Sequence, residues 1–412
     1  RVQFLKGDYV TGTIELKSGV MLEVEKGARL LGSTNLADYP DKVPMHKTVI
    51  DALMKIKLSL IYAENCERIG ICGEGTIDGR GASANFPGQG TIAEIPGRPF
   101  LIRMIECRKI VLQDIHLRNA ASWMENYLNC DDLILQGVNV ENQCNWNNDG
   151  FDIDGCHNVI VRDCLINAED DAMCFKGAGL RPTENVLIEN CQAYTECSAL
   201  KFGTDSEANF RNILVRNVEL GGVPENLPAF ARHASVSGIS WEAVDGGTVE
   251  NIVVYHAHIT RARVPIFLRL GNRGRTMPGQ PKPPVGKLQD IVFEDITGGG
   301  EQGSIIAGIP AHPIQQVIFR NVKLSVAGGG TLKQATANLP EEEAGYPEAK
   351  MFGPVVPAYG FWLRHAGEIS FENVQVTPLK PDACPQIGAG DDTTGILVDG
   401  KPLPQNPASA AN

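Results

Sequence analysis

Three aspartates stand at matching places in two neighbouring stretches of alternating sequence. Asp149 lies two residues before the run FDIDG begins, and Asp171, with Asp170 beside it, lies two residues before MCFKG. Superposing the two runs places Asp149 over Asp171, 22 residues away. If the runs are adjacent parallel strands, the two carboxylates are separated by about one strand spacing, roughly 4.8 Å.

Carboxylates this close repel one another, which raises the pKa of at least one and leaves a protonated acid beside ionised carboxylates near neutral pH. That combination suits glycosidic bond cleavage, in which one carboxylic acid protonates the leaving oxygen and another carboxylate activates water. A calcium site and a solvated acidic edge are the alternative interpretations of the same residues.

A repeated unit supplies the strands that position these aspartates. It has the form N-[IV]-x-[IFV]-x-[ND]-x-x-[ILV], and its early copies are spaced by 23, 26, 27 and 27 residues. A period in the twenties indicates stacked repeats. Each unit alternates apolar and polar residues, bends at Asn or Asp and alternates again, which is the period of strands. Because the fixed leucines of a leucine-rich repeat do not appear, the sequence predicts an all-β, single-stranded parallel β-helix, a solenoid of stacked coils. The units begin at Lys109, Asp132, Asn158, Asn185, Asn212, Asn251, Asp290, Gln316 and Glu368.

The cysteines follow the same repeat. The chain has 11, an odd number, so complete disulfide pairing within it is impossible. Their shared places before or after the bends predict columns of small buried side chains rather than redox or metal chemistry. The residues concerned are Cys66, Cys107, Cys130, Cys156, Cys164 and Cys191.

The repeats suggest a catalytic β-helix domain over residues 1–380. Insertions near 221–235, 271–287 and 328–360 interrupt the rhythm, and we expect them to project from the coils and to wall a binding cleft. The Pro-rich end, residues 381–412, is predicted to be a C-terminal tail.

Composition narrows the choice of partners. The formal net charge is -12 and no Lys/Arg block is present, which argues against a nucleic-acid partner. No run approaches the roughly 18 apolar residues of a membrane span. A signal peptide removed ahead of Arg1 is compatible with the sequence, and we expect a secreted or periplasmic protein. The sequence requires no cofactor or metal and leaves the oligomeric state open.

The motifs also resemble those of a known family. NNDGFDID, followed 22 residues later by EDDAMCF, resembles the N-x-D-G-F-D-I and Q-D-D signatures of glycoside hydrolase family 28, the polygalacturonase family. The segments 7–33, 71–81 and 97–123 also resemble the corresponding parts of that family. Together with the repeats, the resemblance extends from residue 1 to about residue 380. It implies a right-handed parallel β-helix and inverting hydrolysis, with Asp170 as the general acid and Asp149 and Asp171 as the pair that activates water.

Two places depart from the family pattern. Ser198, in CSA, stands where the histidine of the family's Gly-His-Gly is expected. Ser240, Trp241 and Glu242 stand where its Arg-Ile-Lys would hold the galacturonate carboxylate. A glutamate there would repel a uronate.

Three interpretations follow from these departures. In the first, the substrate is a neutral or differently oriented sugar, and Trp241 offers it a stacking face. In the second, the cations that bind a uronate come from elsewhere in the chain. In the third, the protein binds sugar without cutting it. Lys176 and Lys201 are expected to face outward near Asp154 and Asp152, where ordinary ion pairing is the alternative to substrate binding. The candidate substrate-binding residues are Lys176, Ser198, Lys201, Trp241, Glu242, Arg269 and Arg273, with Arg275, Trp123 and Trp146 as further candidates and His365 as a structural residue.

The sequence therefore predicts an inverting glycoside hydrolase that acts on a pectin-type or related plant cell-wall polysaccharide or oligosaccharide, and not a standard homogalacturonan hydrolase. The alternatives are a β-helix polysaccharide lyase, which would use calcium and a Lys or Arg base, and a non-catalytic carbohydrate-binding solenoid.

Overall fold

A computed structural model describes residues 1–45, 47–88, 96–179 and 181–403 of the chain. Its regular structure is almost entirely β, and every strand but the last pairs in parallel with a strand one coil away, as Phe151–Asp154 does with Met173–Gly177. Crossover connections between parallel strands are right-handed. The predicted right-handed parallel β-helix is confirmed.

The coils present three faces. The first face contains Ile14–Glu15, Ser59–Glu64, Phe100–Ile105, Glu125–Leu128, Phe151–Asp154, Met173–Gly177, Ser198–Ser206, Ser235–Ala243, Ser304–Ala307, Phe361–Arg364 and Ile387–Ala389. The second face contains Val2–Phe4, Met21–Val24, Glu67–Cys72, Arg108–Gln113, Asp131–Gln136, His157–Arg162, Lys287–Leu288, Thr393–Thr394 and Leu397–Val398. The third face contains Gly7–Thr11, Ala28–Gly32, Thr76–Asp78, His116–Arg118, Asn139–Asn142 and Leu165–Ala168.

In the later coils the second and third faces are joined in continuous bent strands. These strands are Thr183–Thr195, Phe210–Gly221, Thr248–Leu270, Ile291–Gly300, Ile314–Val326 and Ala366–Pro378. Thr248–Leu270 also continues into the first face, where it pairs with Ser235–Ala243. Lys401–Pro402 closes the end with an antiparallel pairing to Leu397–Val398.

The asparagines of the repeat explain its bends. Asn158, Asn185, Asn212 and Asn251 all have φ between 54° and 58°, a left-handed conformation that Asn tolerates better than most residues. The amide of each asparagine from Asn185 onward donates to the one a coil earlier, over 2.7 to 3.2 Å. The repeated Asn therefore both sets the bend and ties successive coils together.

The core is a column of inward side chains that continues from coil to coil. Phe175, Phe202, Trp241 and Phe293 stack or meet edge to face at centroid distances of 5.0 to 5.3 Å. All 11 cysteines are free thiols. The six at the repeated positions are buried, which confirms the predicted columns.

The predicted insertions lie between strands as expected, but the predicted tail boundary is wrong. Ile387–Ala389 pairs with Phe361–Arg364, and Leu397–Val398 pairs with the strand that contains Ser370. The β-helix therefore continues past residue 380, because short late strands still find a coil to pair with. Residues 404–412 of the predicted tail lie outside the described residues.

Two segments cover the outward side of the first face. The first contains helix α1, Val49–Met54, which begins with a capping box at Thr48 and packs Ile50 against Phe100 and Trp123. The 3₁₀ turn Leu36–Asp38 precedes it. The second is the 328–360 insertion, with helix α2 at Leu332–Ala335 and a 3₁₀ turn at Ala349–Phe352. None of the helices in the described ranges is long and apolar enough to cross a membrane.

Candidate active site

The strand register brings the predicted aspartates together. Phe151 pairs with Met173, so Asp149 and Asp171, two residues earlier in each coil, occupy the same place in neighbouring coils. The Gly150 amide donates to the Asp171 carbonyl over 2.9 Å. The superposition predicted from the sequence is confirmed, and the two aspartates lie about one strand spacing apart.

A buried asparagine shapes the turn that carries Asp149. Asn148 is fully buried, and its amide donates to the carbonyls of Ala120 and Ser122 over 3.0 and 2.8 Å. Its own carbonyl accepts from the Asp170 amide over 3.3 Å. Asn148 thus ties its own turn to the coil before it through its side chain and to the coil after it through its backbone carbonyl, and this fixes the positions of both carboxylates.

Asp170 and Asp171 differ in their partners. Asp171 is buried and accepts from the Ser198 amide over 3.2 Å and from Lys201 Nζ over 2.8 Å. Asp170 is half-buried, and its Oδ2 accepts from the Asn147 amide over 3.3 Å. The ion pair is confined to Asp171.

These surroundings separate the acidities of the three aspartates. Burial, and then the charge of Asp171, raise the pKa of Asp170. Burial, with the nearby Asp152 and Asp170, raises the pKa of Asp149 well above its ordinary value. Burial would also raise the pKa of Asp171, but Lys201 and Lys176 outweigh it and hold that pKa below its ordinary value. Asp171 is the carboxylate of the three best suited to stay ionised.

Both lysines face outward, as predicted, but only Lys176 pairs with one of the two predicted aspartates. Lys176 Nζ lies 3.1 Å from Asp152 Oδ1 and 4.8 Å from the Trp123 ring centre. Lys201 pairs with Asp171 instead. Each lysine reaches an aspartate of the preceding coil that lies before its own register partner, a diagonal contact that strand pairing alone does not reveal.

Trp241 is not a sugar-stacking surface, and this prediction is wrong. The side chain is fully buried, stacks on Phe293 at 5.0 Å and meets Phe202 edge to face. Its neighbours Ser240 and Glu242 lie on the opposite, outward side of the strand because side chains alternate.

Glu242 lies beside the ion pair at the centre of the site. It is 2% exposed, its Oε1 accepts from the Ser240 hydroxyl, and its Oε2 lies 3.9 Å from Lys201 Nζ. Oε2 has no hydrogen-bond partner among the described residues. Burial raises the pKa of Glu242 to about 7.

Ser198 is also close to the aspartates. Besides the bond from its amide to Asp171, its hydroxyl accepts from the Ser237 hydroxyl over 3.0 Å. It thus lies at the predicted position but carries no side chain able to act as a cation.

Arg269 holds a loop and does not face the cleft, contrary to the prediction. It is 1% exposed and donates to the carbonyls of Gly308, Glu341 and Glu342, each over 2.9 Å. Burial lowers its pKa to about 10. Its guanidinium anchors the 328–360 insertion to the first face.

Arg273 and Arg275 form a second charged cluster with Asp205 and Asp245. Arg273 Nε donates to Asp245 Oδ1 over 3.0 Å, and Arg275 Nη1 donates to Asp205 Oδ1 over 3.1 Å. The predicted cations thus exist at the start of the 271–287 insertion, but both are engaged by carboxylates.

Within the described ranges, two groups of side chains have metal-ligand atoms within 4.8 Å of one another. One consists of Asp170, Asp171 and Cys197; the other consists of Asp205, Glu207 and Asp245. Each group already has a Lys or Arg against one of its carboxylates. Such a fixed positive charge disfavours a bound cation.

The aromatic and histidine candidates fall into different environments. Trp123 is 3% exposed and stacks on Phe100, so it is a packing residue, whereas Trp146 is 41% exposed. His365 is buried between Glu341 and Asp392, which fits the predicted structural role.

Two aromatic residues near the site, both carried by the insertions, were not predicted from the sequence. Tyr346, from the 328–360 insertion, has its ring centre 6.0 Å from Lys201 Nζ. Phe230, from the 221–235 insertion, meets Trp146 edge to face at 5.1 Å. Both insertions therefore reach the site. Their position outside the repeat was the only available signal.

A right-handed β-helix with a carboxylate cluster on one outward face defines a class of carbohydrate-active solenoids, and comparison with known proteins identifies the family. The model of glycosyl hydrolases family 28 matches residues 17–344. The chain belongs to that family.

Individual relatives are distant. A probable polygalacturonase of Vitis vinifera is 25% identical over 339 residues, which cover 78% of this chain and 66% of the relative. The chain spans still smaller shares, 55% and 62%, of a Ralstonia solanacearum polygalacturonase and a Dickeya chrysanthemi exo-poly-alpha-D-galacturonosidase.

Solved structures show the same fold. A family 28 exopolygalacturonase from Yersinia enterocolitica superposes with a TM-score of 0.69 at 17% identity and covers 98% of this chain and 73% of that one. An exopolygalacturonase from Thermotoga maritima gives 0.67 at 15% identity, with 91% and 83% covered.

Proposed function

We propose that this chain is an inverting glycoside hydrolase acting on pectin-type polysaccharides or oligosaccharides, and that it is a poor hydrolase of unesterified homogalacturonan. One observation carries the hydrolytic part of the proposal: Lys201 Nζ lies 2.8 Å from Asp171, while neighbouring Asp170 faces no such cation in the parts of the chain that the structure describes. The pKa values of the two carboxyl groups therefore shift in opposite directions. An acid and a base side by side near neutral pH are what glycosidic hydrolysis requires.

Asp170 is the proposed general acid. Burial and the charge of Asp171 raise its pKa, which favours a side chain that carries a proton, and it is the most exposed of the three aspartates. A proton donor must reach the glycosidic oxygen, and the two more deeply buried aspartates are worse placed for that.

Asp171 and Asp149 are the proposed pair for the attacking water. Lys201 keeps Asp171 ionised and therefore able to take a proton. Asp149 Oδ1 is buried and has no hydrogen-bond partner in the described part of the chain, so it can accept a hydrogen bond from a water molecule. Together they orient the water, and Asp171, whose pKa is lowered, is the partner that stays ionised to receive its proton.

The site's charge supports the substrate preference. Glu242 stands where a uronate carboxylate would require a cation, and Lys201 beside it is already bound to Asp171. Arg273 and Arg275 are held by Asp245 and Asp205. A free galacturonate carboxylate would meet like charge, whereas a neutral sugar or an esterified uronate would not.

The lyase alternative needs a neutral lysine or arginine base. The pKa values of Lys176 and Lys201 are both raised well above the ordinary value, because nearby acidic groups outweigh burial. Both lysines therefore stay protonated, which favours hydrolysis. Because a cell-wall polysaccharide is met outside the cytoplasm, we also propose that the protein is secreted or periplasmic.

A substrate screen tests the proposal. The protein is incubated with rhamnogalacturonan, methyl-esterified and unesterified homogalacturonan, and neutral pectic side chains, with reducing ends and ultraviolet absorbance measured together. The proposal requires new reducing ends without the absorbance of an unsaturated uronate, and little release from unesterified homogalacturonan. Absorbance growth would indicate a lyase, and no release from any substrate would favour a binding protein.

A further inference from the structure

Two exposed aromatic side chains form a pair at the rim of the site. The Trp146 and Phe230 ring centres lie 5.1 Å apart with planes at 82°, and the residues are 41% and 37% exposed. The chain's other three tryptophans, Trp123, Trp241 and Trp362, are at most 4% exposed. An exposed aromatic pair in a polar surrounding marks a binding surface.

Buried groups hold Trp146 in place. Arg98, which is 1% exposed, donates to the Trp146 carbonyl and, over 2.7 Å, to Asn147 Oδ1. The Trp146 amide donates to Asn145 Oδ1 over 2.8 Å. The indole therefore projects from a fixed turn, so little conformational entropy is lost when a ligand covers it.

The 221–235 insertion is anchored so that Phe230 reaches this turn. The Phe230 amide donates to Gln143 Oε1 over 2.7 Å, and the amides of Ala231 and Arg232 donate to the Glu196 carboxylate over 2.8 and 2.9 Å. Glu196 is itself 3% exposed. Three backbone bonds thus fix the insertion to the coils that carry the site.

The pair lies on the side of Asp170. Asn147, the residue after Trp146, donates to Asp170 Oδ2 over 3.3 Å. Cys197, the residue after Glu196, has its Sγ within 4.8 Å of the Asp170 and Asp171 carboxylates. Both aromatic residues are therefore attached to turns that touch the proposed acid.

We propose that Trp146 and Phe230 form a carbohydrate-binding platform that stacks against the apolar face of an uncharged glycosyl residue next to the bond that Asp170 protonates. This proposal rests on the proposed function for the position of that bond. An uncharged ring fits because its C–H groups contact the aromatic faces while its hydroxyl groups stay in water. The carboxylate of Glu196, which holds the backbone next to Phe230, disfavours a carboxylate-bearing sugar there.

Tryptophan fluorescence can test binding without turnover. Asp170→Asn protein is titrated separately with three oligosaccharides of matched length, from rhamnogalacturonan, methyl-esterified homogalacturonan and unesterified homogalacturonan, while acrylamide quenching is followed. Acrylamide reaches mainly Trp146, because the other three tryptophans are buried. At least one of the two ligands from rhamnogalacturonan and methyl-esterified homogalacturonan should therefore reduce the quenching, and the unesterified ligand should reduce it least. Trp146→Phe should lose the protection signal while retaining binding by calorimetry.

Phe230→Ala tests the second ring, with Phe230→Leu as the variant that keeps an apolar side chain. We expect the dissociation constant to rise about three- to tenfold for Phe230→Ala, the range of a lost aromatic contact. Any one of three results would overturn the proposed platform. They are no protection by any of the three ligands at concentrations up to about 10 mM, unchanged affinity in Phe230→Ala, and strongest protection by the unesterified ligand. If ligands protect Trp146 in the Asp170→Asn protein but the wild-type protein hydrolyses none of them, the platform stands and the proposed hydrolase is refuted. The two proposals can therefore fail separately.

Discussion

Lys201 Nζ lies 2.8 Å from Asp171 Oδ2 and 3.9 Å from Glu242 Oε2, so one buried cation serves two buried carboxylates. The nearer pairing keeps Asp171 ionised beside Asp170, whose pKa is raised. The same lysine is unavailable to bind a substrate carboxylate. Its position links the proposed chemistry of the site to its proposed substrate preference.

Lys201→Met should move the acid limb of the pH profile. Lys201 lowers the pKa of Asp171, and the ionised form of Asp171 is the proposed base, so wild-type activity should persist at low pH. Without the cation that pKa rises, and the acid limb of kcat/KM should move upward by about one pH unit or more. Lys201→Arg, which keeps the charge, is the matched control. An unmoved acid limb in a folded Lys201→Met protein would contradict this role.

Glu242→Gln should improve the recognition of uronates. Above pH 7, where Glu242 is ionised, the change removes a negative charge while keeping the size of the side chain and its bond from Ser240. We expect KM for unesterified oligogalacturonides to fall about threefold or more, with little change for uncharged substrates. Ser240→Ala, which removes the hydrogen bond but not the charge, should not produce this selective gain. Equal changes for both substrate types would show that Glu242 acts on packing alone.

Glu125→Gln should change the dependence of stability on pH. Glu125 is fully buried in the interior of the β-helix, where its carboxyl group accepts a hydrogen bond from the Tyr127 hydroxyl. Burial raises its pKa to about 7. The folded state then holds this proton more tightly than the unfolded chain, in which the pKa is about 4.3. Stability should fall as pH rises from about 4 through 7, by at most about 4 kcal/mol from this group.

Denaturant unfolding at several pH values checks this effect. Glu125→Gln cannot ionise, so its free energy of unfolding should match wild type most closely near pH 4 and exceed it above pH 7. Identical pH dependence in the two proteins would show that Glu125 is not the group responsible.

Local patterns predicted the parts of the fold that repeat. The alternation in FDIDG and MCFKG fixes the pairing of Phe151 with Met173, and the position of Asp149 over Asp171 follows directly. The same alternation in ISWEA places Trp241 inward with Ile239, so its burial was also predictable from the pattern.

Contacts made by the insertions were not predictable in this way. Arg269 binds carbonyls more than 70 residues later in the chain, and Phe230 reaches Trp146 through an insertion outside the repeat. Nothing in a periodic pattern specifies where a non-periodic loop returns. Likewise, the reach of Lys201 to Asp171 depends on its rotamer, which strand register does not determine.

The most direct test of the account is the activity of Asp170→Asn, measured as reducing-end release from the pectic substrate that wild-type protein cleaves best. Asp132→Asn is the matched control, because Asn already occupies the equivalent place in the next coils, at Asn158 and Asn185. We predict that Asp170→Asn loses about 10²- to 10⁴-fold in kcat with unchanged circular dichroism, while the control retains wild-type activity. An Asp170→Asn protein that keeps near wild-type turnover would contradict the assignment of the general acid.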